Sequence, residues 1–406
     1  MYSQDRHVKV DANWVPGEAQ RFIETVFNDT ESVFAEHSFW PPHPDDGEPP
    51  NGEFFGPLYH GLAGVAWAQL ELENLGYGQI RNDYVEACES SRKATVEGLA
   101  QFLSFNNRDD YLKGLLIAEL GYLVTLCRLS PSNEYADAAI ELIRGNLHNE
   151  VLELLWGSPG SMLYLAAMLE SGRADSRYVS LLEDGLQFLK RSLTTSSSRQ
   201  ARLWQQNLYD EHVCLLGAGH GFAGNSLAIL RAYDHLPDKD RHFWRDLIID
   251  TTVRTADVSE GFANWQQSID GYREGRSDWL VQFCHGAPGV ICCLSELMGE
   301  DAGFDRLMIE AGELTWKAGP LKKGGGFCHG TAGNGWAFLK LFDSMGDELW
   351  LDRAKAFASS AIKQAEKRRA ETGQWRYSLW TGDHGIALFA DACLSHNLGI
   401  PTLERF

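Results

Sequence analysis

The chain has 406 residues, which is enough for two average domains or for one large repetitive domain. It is 44% hydrophobic and 23% charged, an ordinary composition for a protein with a substantial buried core. The net charge of -20 excludes nucleic acid and anionic membranes as main partners, because phosphate binding requires a basic face.

The sequence carries none of the usual signals for secretion or membrane insertion. Its start, MYSQDRHVKVDANW, lacks a basic region followed by an apolar run, and it contains no apolar stretch of about 18 residues. The eight cysteines are scattered along the chain, which favours buried thiols or metal ligands over a disulfide framework. We therefore expect a cytoplasmic protein that is not an integral membrane protein.

Residues 1–55 are predicted to form an N-terminal extension. The stretch FWPPHPDDGEPPNGEF (39–54) is rich in proline, glycine and acidic residues, so it cannot continue a helix and is predicted to be a loop. Residues 56–406 are predicted to form a single domain.

A glycine motif recurs in chain order through this domain. A Gly-x-x-Gly core is shared by YHGLAG (59–64), WGSPG (156–160), GHGFAG (219–224), CHGAPG (284–289), CHGTAG (328–333) and TGDHG (381–385). A degenerate copy, KGLLIAELG (113–121), fills the gap between the first two and brings the count to seven units. Internal repetition of this kind indicates a stack of similar supersecondary units.

Each unit is predicted to contain a pair of helices. The apolar runs that follow the motifs, such as SMLYLAAML and GWAFLKLF, are hydrophobic nearly all round, which is typical of helices buried on every side. Longer amphipathic, charged segments lie between these runs and predict half-exposed helices. Two irregular stretches, 192–211 and 261–279, are longer than compact connections require, and we expect them to influence substrate choice.

Seven helix pairs can form an open solenoid or a closed ring. A solenoid needs polar caps at its ends, but the copies around His60 and His384 are as glycine-rich and apolar as the middle ones. The predicted fold is therefore all-α, an (α/α)7 double toroid of inner and outer helices. The inner helices then all start at one end, and the glycine motifs meet at a common mouth, where glycine permits close packing.

Two adjacent units carry Cys-His pairs at equivalent places, Cys284-His285 and Cys328-His329. Two thiolates and one imidazole can bind Zn²⁺ and leave the fourth position open, as in catalytic zinc sites. A closed four-ligand structural site, a Cys-His nucleophile pair and small buried thiols are the alternatives, and spacing alone leaves them open.

Other polar residues are predicted to lie at the same mouth. His220, in the unit before the first Cys-His pair, is placed to act as a general acid or base. Glu153 precedes an apolar helix, where an acidic residue is also favoured by the helix dipole. We expect His60 and His384 to be core residues.

The seven motifs, with CHGAPG, CHGTAGN and GAGHGFAG in this order, resemble the LanC-like family, the homologues of lanthionine synthetase C. The resemblance covers the chain from about residue 59 to its end. LVQFCHGAPGVI and LKKGGGFCHGTAGN look closer to the glutathione-binding LanC-like proteins than to the lantibiotic cyclases.

This resemblance implies roles for particular residues. Cys284, Cys328 and His329 match the family's zinc ligands, whereas His285 does not. His220 matches its catalytic histidine. Glu153 stands where the cyclases carry an aspartate and the LanC-like branch a glutamate, and it is expected to orient His220 or to assist in proton transfer.

The residues implied to bind glutathione match less uniformly. Lys323 matches a lysine that contacts glutathione, and as a catalytic residue it would alternatively help to offset the charge of the enolate. Lys322 remains unassigned. Leu280 replaces an arginine of the cyclases, and the glutathione contact before the last unit is not cleanly reproduced, so Arg376 is only a substitute for it.

The implied function is zinc-dependent addition of a thiol, glutathione, to dehydroalanine or dehydrobutyrine in a peptide or protein, with a kinase or dehydratase as a further partner. Two alternatives remain open. One is a lanthipeptide cyclase that closes thioether rings with the peptide's own cysteine, against which Leu280 counts mildly. The other is a non-catalytic scaffold that binds zinc and glutathione.

Overall fold

The computed structural model describes residues 1–11, 13–49, 52–104, 108–269 and 279–406. Within these ranges the chain forms the helices α1 (Pro16–His37), α2 (Leu62–Asn74), α3 (Tyr84–Phe102), α4 (Arg108–Tyr111), α5 (Glu119–Leu129), α6 (Asn133–Arg144), α7 (Ser158–Glu170), α8 (Ser176–Arg191), α9 (Phe222–Arg231), α10 (Asp238–Thr255), α11 (Ala287–Leu294), α12 (Ala302–Ala318), α13 (Thr331–Met345), α14 (Glu348–Thr372) and α15 (Asp383–Ser395). Six short strands accompany them: β1 (Leu193–Thr195), β2 (Arg202–Trp204), β3 (Gln206–Leu208), β4 (Glu211–Val213), β5 (Asp257–Ser259) and β6 (Phe262–Asn264).

The helices form two concentric layers. The inner layer consists of α2, α5, α7, α9, α11, α13 and α15, whose residues are almost all buried. The outer layer consists of α1, α3, α6, α8, α10, α12 and α14, each of which exposes one face to solvent. The ring is closed because α15 packs against both α2 and α1. The predicted (α/α)7 toroid is therefore confirmed.

The second glycine of each motif fits against the backbone of its own loop. A Cβ atom at any of the seven positions would lie 1.8 to 2.4 Å from the carbonyl oxygen of the residue six positions earlier, which no side chain tolerates. These residues are Gly64, Gly121, Gly160, Gly224, Gly289, Gly333 and Gly385. The motif therefore lets the chain fold back over the start of each inner helix.

In the part of the chain that the structure describes, three antiparallel hairpins accompany the helical layers, and the sequence did not predict them. β1 pairs with β2, β3 with β4, and β5 with β6. The first two occupy most of the stretch 192–211 that was predicted to be irregular. Of the other predicted stretch, 261–279, residues 270–278 lie outside the described residues.

Among the described residues, no helix is both long and apolar enough to cross a lipid bilayer.

Candidate metal centre

The seven motif loops are joined around the mouth by backbone hydrogen bonds at one equivalent position, five residues before the second glycine. For six of the seven pairs of neighbouring loops, the N–H of this residue in one loop donates to the carbonyl of the equivalent residue in the next loop. The N···O distances are 2.7 to 3.3 Å. The position is occupied in turn by Tyr59, Leu116, Leu155, Gly219, Cys284, Cys328 and Trp380. Both cysteines of the Cys-His pairs thus lie side by side in this ring.

The structure brings the predicted ligands together. The N–H of Cys284 donates to the carbonyl of Cys328 at 3.3 Å, and both side chains are buried. Ligand atoms of Cys284, Cys328 and His329 all lie within 4.8 Å of one another. His285 occupies the place equivalent to His329 but is not part of this cluster.

The cluster fits a metal of the zinc type. Ligand atoms around tetrahedral Zn²⁺ lie about 3.5 Å apart, and two thiolates with one imidazole are a donor set that zinc favours. Nδ1 of His329 is buried and has no hydrogen-bond partner among the described residues, which is costly unless a further group binds there. Three protein ligands leave a fourth position for an exchangeable one.

The two thiols of the cluster differ in acidity. Burial raises the pKa of Cys284, but hydrogen bonding from Cys328, the charge of His220 and the amide of Gln282 together outweigh burial, so the net pKa is lowered. The pKa of Cys328 is raised by burial and by its neighbour Cys284.

His220, which is partly exposed, and the buried Glu153 form a pair where the backbone ring is interrupted. The N–H of Leu155 does not reach the next loop and donates to Oε2 of Glu153 instead, at 3.1 Å. The same oxygen accepts from Nδ1 of His220 at 2.7 Å. A carboxylate thus bridges the two loops that the backbone leaves unconnected, and Nε2 of His220 has no part in this bond.

The pKa of His220 is raised above its ordinary value. Burial alone lowers this pKa, but the hydrogen bond and the negative charge of Glu153, with a contribution from Cys284, reverse the effect. By contrast, burial and the charge of His220 lower the pKa of His285 to about 3. Of these two neighbouring rings, whose centroids lie 6.1 Å apart, His220 is the one that can hold a proton near neutral pH.

The remaining predicted residues occupy different surroundings. Lys323 is exposed. The pKa of His329 is lowered mainly by burial, and the positive charge of Lys323 is the second cause. Nε of Arg376 donates to Asp46 in the proline-rich loop at 2.8 Å, so this guanidinium is paired within the protein. His384 is fully buried, with Nε2 3.2 Å from Oγ1 of Thr30. His60 is half-buried, and its ring packs against that of Phe55 with the two ring centroids 4.6 Å apart.

Two residues beside the cluster were not predicted from the sequence. The phenol of Tyr59 lowers the pKa of the Cys328 thiol, against the larger effect of burial, and Nε2 of Gln282 donates to Sγ of Cys284 at 2.9 Å. Tyr59 stands at the place equivalent to the two cysteines, so alignment of the glycine motifs could have identified it. Gln282 lies outside the glycine motif but inside LVQFCHGAPGVI, one of the stretches that carry the family resemblance, where it was not singled out.

Comparison with known proteins gives a family and two relatives. The model of the family described as lanthionine synthetase C-like protein matches residues 56–401. Glutathione S-transferase LANCL1 of Danio rerio is 28% identical over 253 residues, 58% of each chain. LanC-like protein GCL1 of Arabidopsis thaliana is 39% identical over 136 residues, 32% of this chain and 30% of the relative. Each match thus spans less than two thirds of the relative.

Among solved structures, this chain is similar to nisin cyclase. The TM-score is 0.61 at 16% identity, and the match covers 92% of this chain and 96% of the cyclase. At this identity the likeness concerns the fold alone.

Proposed function

Because the chain belongs to the lanthionine synthetase C-like family, we propose that it adds a thiol to dehydroalanine or dehydrobutyrine residues and so forms a thioether. The observation that carries the proposal is the buried Cys284–Cys328–His329 cluster at the mouth of the ring, with the His220–Glu153 pair in the adjoining loops. Glutathione is the proposed thiol, since the zebrafish relative is named a glutathione S-transferase.

The cluster is the proposed zinc site, with Cys284, Cys328 and His329 as ligands. Bound Zn²⁺ supplies a Lewis acid that lowers the pKa of a coordinated thiol, which is otherwise about 8.5. The amide of Gln282 holds the Cys284 side chain from outside the cluster, and the phenol of Tyr59 acts on the pKa of Cys328. Such second contacts fix the direction of a ligand and tune its basicity.

The reaction requires one proton to be moved to carbon. The substrate thiol loses its proton to water, its sulfur bonds to the β-carbon of the alkene, and the electron pair of the double bond moves into an enolate. We assign to Nε2 of His220 the donation of a proton to the α-carbon, and the raised pKa of His220 supports this role. Glu153 holds Nδ1 and thereby directs Nε2 outward.

Lys323 is proposed to bind a carboxylate of glutathione, because its exposed ammonium lies close enough to influence the cluster electrostatically. Arg376 is proposed as a second, weaker contact. For this role its guanidinium must exchange Asp46 for the substrate carboxylate, since the two anions compete for the same donors.

The alkene arises when phosphate leaves a phosphorylated serine or threonine, so a kinase or a dehydratase must act before this protein. The proposed place of the reaction is the cytosol, where glutathione is kept reduced.

Two alternatives remain as outcomes of the test. A lanthipeptide cyclase would use the same centre with a cysteine of the same peptide, and the fold is shared with nisin cyclase. A scaffold would bind zinc and glutathione without turnover, so zinc removal would lower its stability and His220→Ala would leave its role intact.

The test is incubation with glutathione and a dehydrobutyrine peptide that lacks cysteine, followed by mass spectrometry. We expect a glutathione adduct with the wild type and none above background with Cys328→Ala. Absence of the adduct with the wild type would contradict the proposal. Ring closure without adduct on a second peptide, which carries both dehydrobutyrine and cysteine, would favour the cyclase.

A further inference from the structure

We propose that Gln282 is a positioning residue of the metal centre, which holds the Cys284 thiolate through an N–H···S hydrogen bond. The inference rests on the proposed zinc site. It concerns a side chain that neither the motifs nor the comparisons identify, and it assigns to that side chain the control of one ligand only.

The geometry of the contact is direct. Nε2 of Gln282 lies 2.9 Å from Sγ of Cys284, and the Gln282 side chain is almost completely buried, with 5% of the residue exposed. The backbone is fixed as well, because Gln282 and His285 exchange two N–H···O bonds of 3.2 Å across a tight turn. The amide therefore has little freedom to leave the sulfur.

The orientation of the amide is determined by Arg6. A glutamine amide can rotate by half a turn and exchange its oxygen with its nitrogen, so its direction has to be fixed by a partner. A guanidinium can only donate, and NH2 of Arg6 lies 3.4 Å from Oε1 of Gln282. The oxygen must face Arg6, and the NH2 group must then face Cys284.

Arg6 is in turn held by the backbone of the loop that leads to Cys328. The carbonyl of Arg6 accepts from the N–H of Lys322 at 3.0 Å, and the N–H of the nearby Val8 donates to Pro320 at 2.9 Å. The loop that leads to Cys328 thus fixes Arg6, and Arg6 in turn fixes the orientation of the Gln282 amide.

The contact makes the two thiolate ligands unequal. An amide N–H contacts the sulfur of Cys284, whereas the polar side chain that influences Cys328 is the phenol of Tyr59. A hydrogen bond to a thiolate lowers the energy of the sulfur lone pairs and fixes the direction of the ligand. Loss of the amide should therefore weaken metal binding at neutral pH and shift the sulfur-to-metal electronic transition.

The test compares wild type with Gln282→Met and Gln282→Leu, both of which remove the N–H donor without adding a charge, and Leu also adds no atom that could bind the metal. Zinc affinity is measured at pH 7 by competition with a chromophoric chelator, and Co²⁺ is substituted to record the thiolate-to-cobalt charge-transfer band. We expect a loss of about tenfold in zinc affinity, which is typical of removing an outer contact of a ligand. We also expect the cobalt band to move to longer wavelength.

Gln69→Met is the matched control, since Gln69 is equally buried but bonds to Phe27 and Glu31 away from the cluster. This variant should keep both the affinity and the band of the wild type. If wild type binds zinc and the folded Gln282 variants match it in affinity and band, the role of Gln282 is wrong and the zinc site stands. If wild type binds no zinc, the proposed function fails together with this inference.

Discussion

Glu153 is fully buried and accepts three hydrogen bonds, from two backbone N–H groups and from His220. This single residue replaces the one backbone bond that the ring of motif loops lacks. Glu153 also explains why the pKa of His220 is raised while those of the two histidines in the Cys-His pairs are lowered. Of these three histidines, only His220 faces a carboxylate.

Glu153→Gln is expected to move the basic limb of the pH–activity profile to lower pH. In wild type, Glu153 raises the pKa of His220, so the acid form survives to higher pH. Without the negative charge, burial dominates and the pKa falls below its ordinary value of about 6.5. The measurement is kcat/KM for adduct formation as a function of pH.

Glu150→Gln, which changes an exposed acid three residues earlier, should leave that profile in place. His220→Asn should lower kcat by a factor of about 10² to 10⁴, the usual contribution of a general acid. An unchanged profile in Glu153→Gln would show that this pair does not supply the proton.

Among the residues of the site, the sequence predicted those that the glycine motif brings to equivalent places. Alignment of the repeats placed the two Cys-His pairs in neighbouring loops, whereas the choice of His329 over His285 as a ligand came from the family resemblance. The contacts of Gln282 and Arg6 could not be predicted, because they depend on how a turn directs one side chain and on how a distant segment docks.

Inner and outer helices begin differently. The inner helices start after glycine, or alanine in the degenerate copy, and none has a side-chain cap. Five outer helices are capped by an aspartate or serine side chain, those at Asp83, Ser132, Asp175, Asp301 and Asp347. Inner helix starts are crowded against the neighbouring backbone, whereas outer ones have room for a capping side chain.

Gly160→Ala is expected to destabilise the protein by about 1 to 3 kcal/mol, the usual cost of forcing a group into a packed site. The added Cβ would lie 2.3 Å from the carbonyl oxygen of Leu154. The measurement is the free energy of unfolding in denaturant. Gly17→Ala is the control, because at the start of α1 the new Cβ meets nothing closer than 3.6 Å. Equal stability of the two variants would contradict the packing role of the motif.

The sequence predicted the helices better than the hairpins. The inner helices are hydrophobic on all sides, so they have to be buried in the core, and their sequence pattern predicts them reliably. The strands have three residues each, too few to show alternation, and the β3–β4 turn uses Tyr209 and Asp210 at positive φ in place of the usual Asn-Gly. The hairpins are therefore determined by packing on the ring.

Closure of the ring depends on segments at both ends of the described chain. α1, which belongs to the predicted extension 1–55, packs against α14 and α15 on the outside. At the end of the ring opposite the mouth, residues 399–406 bond to inner helices, with Glu404 on Lys340 and Arg405 on Glu71. The sequence predicted closure from the apolar end repeats, but these contacts join distant residues and leave no local pattern.

Lys340→Met is expected to lower the free energy of unfolding by about 3 kcal/mol, because Glu404 would be left as a buried, unpaired charge. The double variant Lys340→Met with Glu404→Leu should regain most of that loss, since it removes both charges. Denaturant unfolding of both variants is the measurement. Lys367→Met, which breaks an exposed pair with Glu371, should have little effect. Equal losses in the single and double variants would contradict this account.

The most direct measurement of the central claim is metal analysis combined with glutathione titration on wild type and Cys284→Ala. We predict zinc equimolar with the wild-type chain and glutathione binding that depends on it, with both lost in Cys284→Ala. Cys293→Ala, which changes a buried cysteine outside the cluster, should retain both. Absence of zinc from the wild type, or undiminished glutathione binding by Cys284→Ala, would contradict a thiol-binding metal centre at the mouth of the ring.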